Sequence, residues 1–145
     1  MDRLKIQYEQ LLKAYGRLEY MSKIFLELSA KPIPKNPDEN SENDLITHRD
    51  ALIQRFEFCY DLTWKFFKQL LNARYGLEVL SPRKVFEECY QQNILTRDET
   101  ETFTKMIDIR NNTSHVYDET MADKVSKEIV QYYDFFIKTL KKIDL

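Results

Sequence analysis

The sequence predicts an all-α, up-down four-helix bundle with one additional short helix. Three observations predict it. Its 145 residues include only 2 glycines and 4 prolines. Three of the prolines (Pro32, Pro34, Pro37) sit together, so helix breakers are scarce elsewhere. Apolar residues recur in steps of three and four along most of the chain, the spacing of one helical face. No stretch alternates as a strand does, and no internal repeat or low-complexity segment interrupts the pattern. A chain of this length fits a single domain, 1–145, whose folding buries roughly two-thirds of the surface of the unfolded chain.

Leu4, Tyr8, Leu11, Leu12, Tyr15, Leu18, Met21, Phe25 and Leu28 place an amphipathic helix over 2–30. Gly16 inside it costs about 1 kcal/mol against alanine. Either flanking packing absorbs that cost, or another backbone comes close there. Residues 31–43, with three prolines and a polar tail, read as a loop between two long helices. Asp44 is the expected N-cap of the second helix. Its stripe is Leu45, Leu52, Ile53, Phe56, Tyr60, Trp64, Phe67, Leu70 and Leu71, and Gly76 ends it. About thirty residues make it about 45 Å long, which calls for equally long partners.

Ser81-Pro82 is a cap followed by proline at the first helical position. The short helix is expected over 82–92, with Val85, Phe86 and Cys89 inward and Asn93 as the break. Thr96-Arg97-Asp98-Glu99 is a capping box, opening a helix with Phe103, Met106, Ile107 and Arg110. Asp118 or Thr120 starts the last helix, striped by Val125, Ile129, Tyr132, Phe136, Leu140 and Ile143. Lys138, Lys141 and Lys142 suit the negative end of its dipole.

The formal net charge is -2 and the pI about 5.8. Both argue against wrapping nucleic acid by charge alone, while leaving room for a local basic cleft. Cys59 and Cys89 are too few for a disulfide framework, and read as reduced, packed thiols. The start of the chain has no apolar signal core, and no apolar run approaches the roughly 20 residues that span a bilayer. The expectation is a cytoplasmic protein without membrane contact.

Chemistry is concentrated in Arg110-Asn111-Asn112-Thr113-Ser114-His115-Val116-Tyr117-Asp118. Five residues of ideal helix would turn Arg110 and His115 well apart. The intervening Asn-Asn-Thr-Ser favours turns over helix, so the helix is expected to bend or end there. Two readings stand side by side. In one, Arg110 pairs with Asp108 or Asp118 and His115 caps a helix end. In the other, both face one cleft, where arginine holds a phosphate bidentately and histidine moves a proton. That second arrangement suits a phosphodiester without a metal. His48 reads as a surface residue. No cluster of His, Cys, Asp and Glu has metal-ligand spacing, and no glycine-rich phosphate loop exists, so no cofactor is expected on this chain.

Arg49, Asp50, Arg55, Glu57 and Asp61 form a charged set on the second helix. They are either a solvated face or the polar lining of a cleft or interface. Arg49 and Asp50, being adjacent, are not expected to be neighbours on the helix face. The aromatic run Phe56, Phe58, Tyr60, Trp64, Phe66 and Phe67 covers more than one face. Such a helix is either central in the bundle or packed on a second subunit.

Arg110-x4-His115-x-Tyr117 is similar to the R-x4-H-x-Y signature of HEPN-domain proteins, with Asn111 matching its common R-N form. Arg49-Asp50-Ala51-x-Ile53-Gln54-Arg55-Phe56-Glu57, Trp64-Lys65, Ser81-Pro82-Arg83 and Asp118 after the tyrosine resemble the branch of nucleotidyltransferase substrate-binding proteins. The resemblance runs from about residue 45 to residue 145. It implies a helical bundle like the C-terminal domain of kanamycin nucleotidyltransferase, assembled as a homodimer with facing motif clefts. The implied partner is a separate small nucleotidyltransferase subunit, which carries ATP and a divalent metal. Some relatives are metal-independent ribonuclease toxins, neutralised when that partner adds AMP to the motif tyrosine. Carried over, Arg110, Asn111 and His115 would hold phosphate, Arg110 and His115 would cleave RNA, and Tyr117 would be modified. The expected function is a non-catalytic substrate-binding subunit; the alternative is the ribonuclease toxin, with RNA or a nucleotide as its ligand.

Overall fold

The computed structural model describes residues 2–31, 39–115 and 118–145, with side chains throughout except those of residues 39–42 and 115. Among these residues the secondary structure is entirely helical: α1 (Asp2–Ala30), α2 (Glu39–Tyr75), α3 (Pro82–Gln91), α4 (Arg97–Asn112), a 3-10 turn (Thr113–His115), α5 (Glu119–Ile129) and α6 (Tyr132–Lys141).

α1 buries Leu4, Leu11, Ala14, Tyr15, Leu18, Ser22 and Phe25, one face at helical spacing. That face lies on α2 and α6. The Tyr15 ring stacks on Phe136 with centroids 4.8 Å apart, and the Tyr15 hydroxyl hydrogen-bonds Thr63 Oγ1 at 2.5 Å. Gly16 is exposed, and a Cβ placed there meets nothing within 4 Å. A close backbone is therefore not the reason for this glycine.

α2 is the longest element, 37 residues, or about 55 Å at 1.5 Å per residue. It packs against α1, α3, α4 and α5. This central position accounts for its wide apolar circumference: Phe56, Tyr60, Phe66 and Phe67 are all buried within this one chain, while Phe58 stays 52% exposed. The helix begins at Glu39, so the expected loop over 31–43 is too long and Asp44 lies inside the helix rather than capping it. Propagating an existing helix costs little per residue, and nothing after Pro37 forbids it. Gly76 ends α2 at φ 67, the left-handed conformation that glycine adopts without strain.

Pro82 opens α3 behind Ser81, whose side chain makes no capping bond. α3 buries Val85, Phe86 and Cys89, and Asn93 at φ 59 turns the chain after it. The capping box of α4 forms: Thr96 Oγ1 accepts from the Glu99 amide at 3.2 Å and Glu99 Oε1 accepts from the Thr96 amide at 2.8 Å. The last predicted helix divides into α5 and α6. Val130 (φ -61, ψ -15) and Gln131 (φ -84, ψ -11) keep right-handed helical dihedrals, but the Gln131 amide bonds Glu128 three residues back at 3.2 Å. The break is thus a tightened, kinked turn within one helical path.

The interior is strongly aromatic. Phe103 stacks on Phe86 at 4.5 Å and meets Phe135 edge-on at 5.0 Å. Phe67 meets both Phe86 and Phe103 edge-on. This cluster fixes α3 and α4 onto α2, and so positions the end of α4.

Candidate functional site

The capping box starts α4 in a register that brings Arg110 to its last turn. The guanidinium reaches across to α2. Its Nη1 lies 2.7 Å from Glu57 Oε2 and its Nη2 lies 3.5 Å from Asp61 Oδ2. Glu57 and Asp61 are four residues apart, hence on one face of α2. Nη1 also donates to Thr113 Oγ1 at 3.0 Å, and that hydroxyl donates to the Arg110 carbonyl at 2.7 Å. Arg110 Nε is buried and has no partner among the described residues. The expected local pairing of Arg110 with Asp108 or Asp118 does not form; its acids come from α2. Asp118 instead caps α5, accepting from the Thr120 amide at 2.9 Å.

α4 ends at Asn112 and tightens into the 3-10 turn Thr113–His115. The α-helix therefore ends between Arg110 and His115, one of the two expected outcomes, with Thr113 still in right-handed helical dihedrals (φ -64, ψ -19). Ser114 Oγ donates to the Asn111 carbonyl at 2.8 Å, one more bond that holds the turn. The His115 side chain, Val116 and Tyr117 lie outside the described residues.

A cleft of about 550 Å³ opens beside Arg110 and Asn111. Its walls are Tyr60, Asp61 and Trp64 of α2, Ser81 and Arg83 at the start of α3, and Ser114 of the turn. Burial pushes the Tyr60 phenol up to about 12, and Asp61 adds to this while Arg110 and Arg83 oppose it. Tyr60 is therefore a neutral hydroxyl at physiological pH. On another face of α4, a cavity of about 400 Å³ lies between Asp108, Asn112, Lys124 and Glu128, without Arg110.

The charged set of α2 divides between two places. Glu57 and Asp61 hold Arg110. Arg49 is buried (4% exposed) and binds α5 instead, its Nη1 2.6 Å from Glu119 Oε2 and 3.4 Å from Asp123 Oδ1. Asp50, although adjacent in sequence, does contact it: Arg49 Nε and Nη2 both lie 3.3 Å from Asp50 Oδ1. The flexible arginine stem overrides the divergence of adjacent helical positions. The Glu119 hydrogen bond raises the Arg49 pKa against the opposing effect of burial. Arg55 is half-buried and does not line the Arg110 cleft. Among the described residues His48 makes a local bond, Nδ1 to the Asp44 carbonyl at 2.7 Å.

Arg110 and Asn111, to which the family resemblance gives a phosphate, both line this cleft. Sequence spacing missed Tyr60 and Arg83 as walls, because their approach depends on the packing of α3 between α2 and α4. The available signal for Arg83 was the Ser81-Pro82-Arg83 block, whose position beside the cleft shows only in the packed bundle.

Residues 7–144 match the family described as nucleotidyltransferase substrate binding protein like. The chain belongs to this family. A crystal structure of a protein from Thermus thermophilus is similar over 91% of this chain and 97% of that one, at 25% identity and a TM-score of 0.70. No curated protein matches the chain. For a member of this substrate-binding family, the cleft beside Arg110 is the feature whose residues most resemble a ligand site: concave, partly apolar, with a few convergent polar groups.

Proposed function

We propose that the chain is the non-catalytic substrate-binding subunit of a two-component nucleotidyltransferase. It pairs as a homodimer with a separate small nucleotidyltransferase subunit, which carries ATP and its divalent metal. The observation that carries this reading is the match of residues 7–144 to the nucleotidyltransferase substrate-binding family. The cleft beside Arg110 supports it, since a binding subunit needs a concave surface with a few convergent polar groups. The test is co-purification: the chain is expressed with a small nucleotidyltransferase encoded beside its gene. A stable complex is expected, and separate elution of the two proteins overturns the reading.

A second reading rests on a specific feature, the ending of α4 between Arg110 and His115. In it the chain is a metal-independent ribonuclease toxin in a toxin–antitoxin pair. Arg110, helped by Asn111, stabilises the phosphate and His115 acts as acid or base. AMP addition to Tyr117 by the partner then silences the site. Incubation with RNA in excess chelator tests it. Cleavage lost in both Arg110→Ala and His115→Ala supports the toxin; intact RNA at high protein concentration removes it. Mass spectrometry after incubation with the partner and ATP reads the modification, expected on wild type and absent in Tyr117→Phe.

A further inference from the structure

The positive charges around the cleft are unequally committed. Arg110 serves Glu57 and Asp61 at once. One positive charge against two negative leaves that cluster with a net charge of -1. An anion approaching Arg110 therefore meets two carboxylates already seated on its Nη groups. Arg83 stands on the α3 wall of the same cleft, is exposed, and forms no ion pair among the described residues. Ser81 beside it keeps its hydroxyl free of any capping bond. Trp64 stands on the α2 wall, half-buried. Its ring stacks on no other ring among the described residues, unlike the phenylalanines of the interior. The walls thus offer an uncommitted guanidinium and a half-buried indole that packs against the core and keeps part of its surface on the cleft, in a volume of about 550 Å³ that suits a small ligand.

We propose that Arg83 and Trp64 form a two-point site for a phosphomonoester attached to a flat ring. Arg83 takes the phosphoryl group and the Trp64 indole takes the ring. The guanidinium fork matches phosphate oxygens bidentately, and an indole stacks on any planar π-system. Arg110, held by Glu57 and Asp61, is a secondary contact that engages only when a carboxylate gives way. The proposal rests on the substrate-binding reading, and names the chemistry of the ligand. The same chemistry is offered by a free nucleotide and by the phosphorylated end of a short RNA.

Trp64 is the chain's only tryptophan, so its fluorescence reports on this cleft alone. The purified chain is titrated with 5′-AMP, adenosine, inorganic phosphate and a 5′-phosphorylated RNA trinucleotide. Saturable quenching by AMP or the trinucleotide is expected, at least tenfold tighter than with adenosine or phosphate. The tighter of the two identifies the source. Arg83→Ala should weaken binding at least tenfold with an unchanged circular dichroism spectrum, and Asp61→Asn should tighten it by releasing Arg110. Calorimetry on Trp64→Ala should show the loss of preference for AMP over phosphate. Absence of saturable binding by both phosphorylated probes overturns the proposal, as does an unchanged affinity in Arg83→Ala. A chain that co-purifies with a nucleotidyltransferase yet binds no probe keeps the substrate-binding reading and loses this site. A chain that binds AMP through Arg83 but finds no such partner keeps the site and loses the reading.

Discussion

Arg110 Nη1 and Glu57 Oε2 stand 2.7 Å apart, tying the last turn of α4 to the middle of α2. Both side chains are 31% exposed, so water screens the pair and it contributes about 0.5–1 kcal/mol. A double-mutant cycle with Arg110→Ala and Glu57→Gln, read by urea unfolding, should return a coupling energy of that size. Strictly additive losses would show that the two residues do not support each other in solution.

Acid should weaken the fold through two glutamates. The Arg49 hydrogen bond and charge hold Glu119 below its ordinary value of 4.5. Burial works to raise Glu99, but the Lys142 ammonium, with contacts of 2.6 and 2.7 Å, and the Thr96 cap outweigh it, so Glu99 also sits below 4.5. A carboxyl whose pKa is depressed on folding contributes stability that is fully present above its unfolded value. That stability is lost as pH falls through the folded value. The denaturation midpoint should therefore drop on acidification below about pH 4.5, and less steeply in a Glu99→Gln/Glu119→Gln variant. Parallel pH profiles would contradict this.

Gly16→Ala should stabilise the chain by up to about 1 kcal/mol. The site is exposed helix with nothing within 4 Å of an added Cβ. A lower melting temperature in the variant would mean that this position is covered in solution.

Cys59 and Cys89 should resist alkylation in the native chain. Burial pushes both thiols up to about 12, and Cys59 also donates to the Ala14 carbonyl at 3.3 Å. The reactive thiolate is therefore scarce at about pH 8. Labelling measured by mass should be slow in the native chain and speed up sharply once denaturant opens the bundle. Rapid native labelling at either position would refute it.

The sequence made some features legible and hid others for identifiable reasons. Pro82, Gly76 and the Thr96–Glu99 box announce their helix ends, because capping is a contact between near neighbours. α2 starts five residues before the expected cap at Asp44, since Glu39–Asn43 offers several cap-like residues and none dominates. The kink at Val130–Gln131 has no glycine or proline to signal it. At the site, the turn after Arg110 follows from Asn111 to Ser114 alone. The partners of Arg110 do not, because Glu57 and Asp61 are remote in sequence, whereas Asp108 and Asp118 are near at hand. The role of Arg49 is hidden for the same reason: its tie to Glu119 is a product of tertiary packing. His115 and Tyr117 carry the rest of the motif, and the His115 side chain and Tyr117 fall outside the described residues.

Arg49 lies on the same rigid helix as Glu57 and Asp61, about 12 and about 18 Å from them along its axis at 1.5 Å per residue. Arg49 grips α5 and the two acids grip α4, so the two ends of the α4–α5 connection are moored to the same rod. The span that connection must cross is consequently set by α2 and not by the connection's own residues. Its length becomes a quantity open to evolution and engineering, since a longer connection need not move either mooring. Insertions between Ser114 and Asp118 should therefore leave the bundle's shape unchanged.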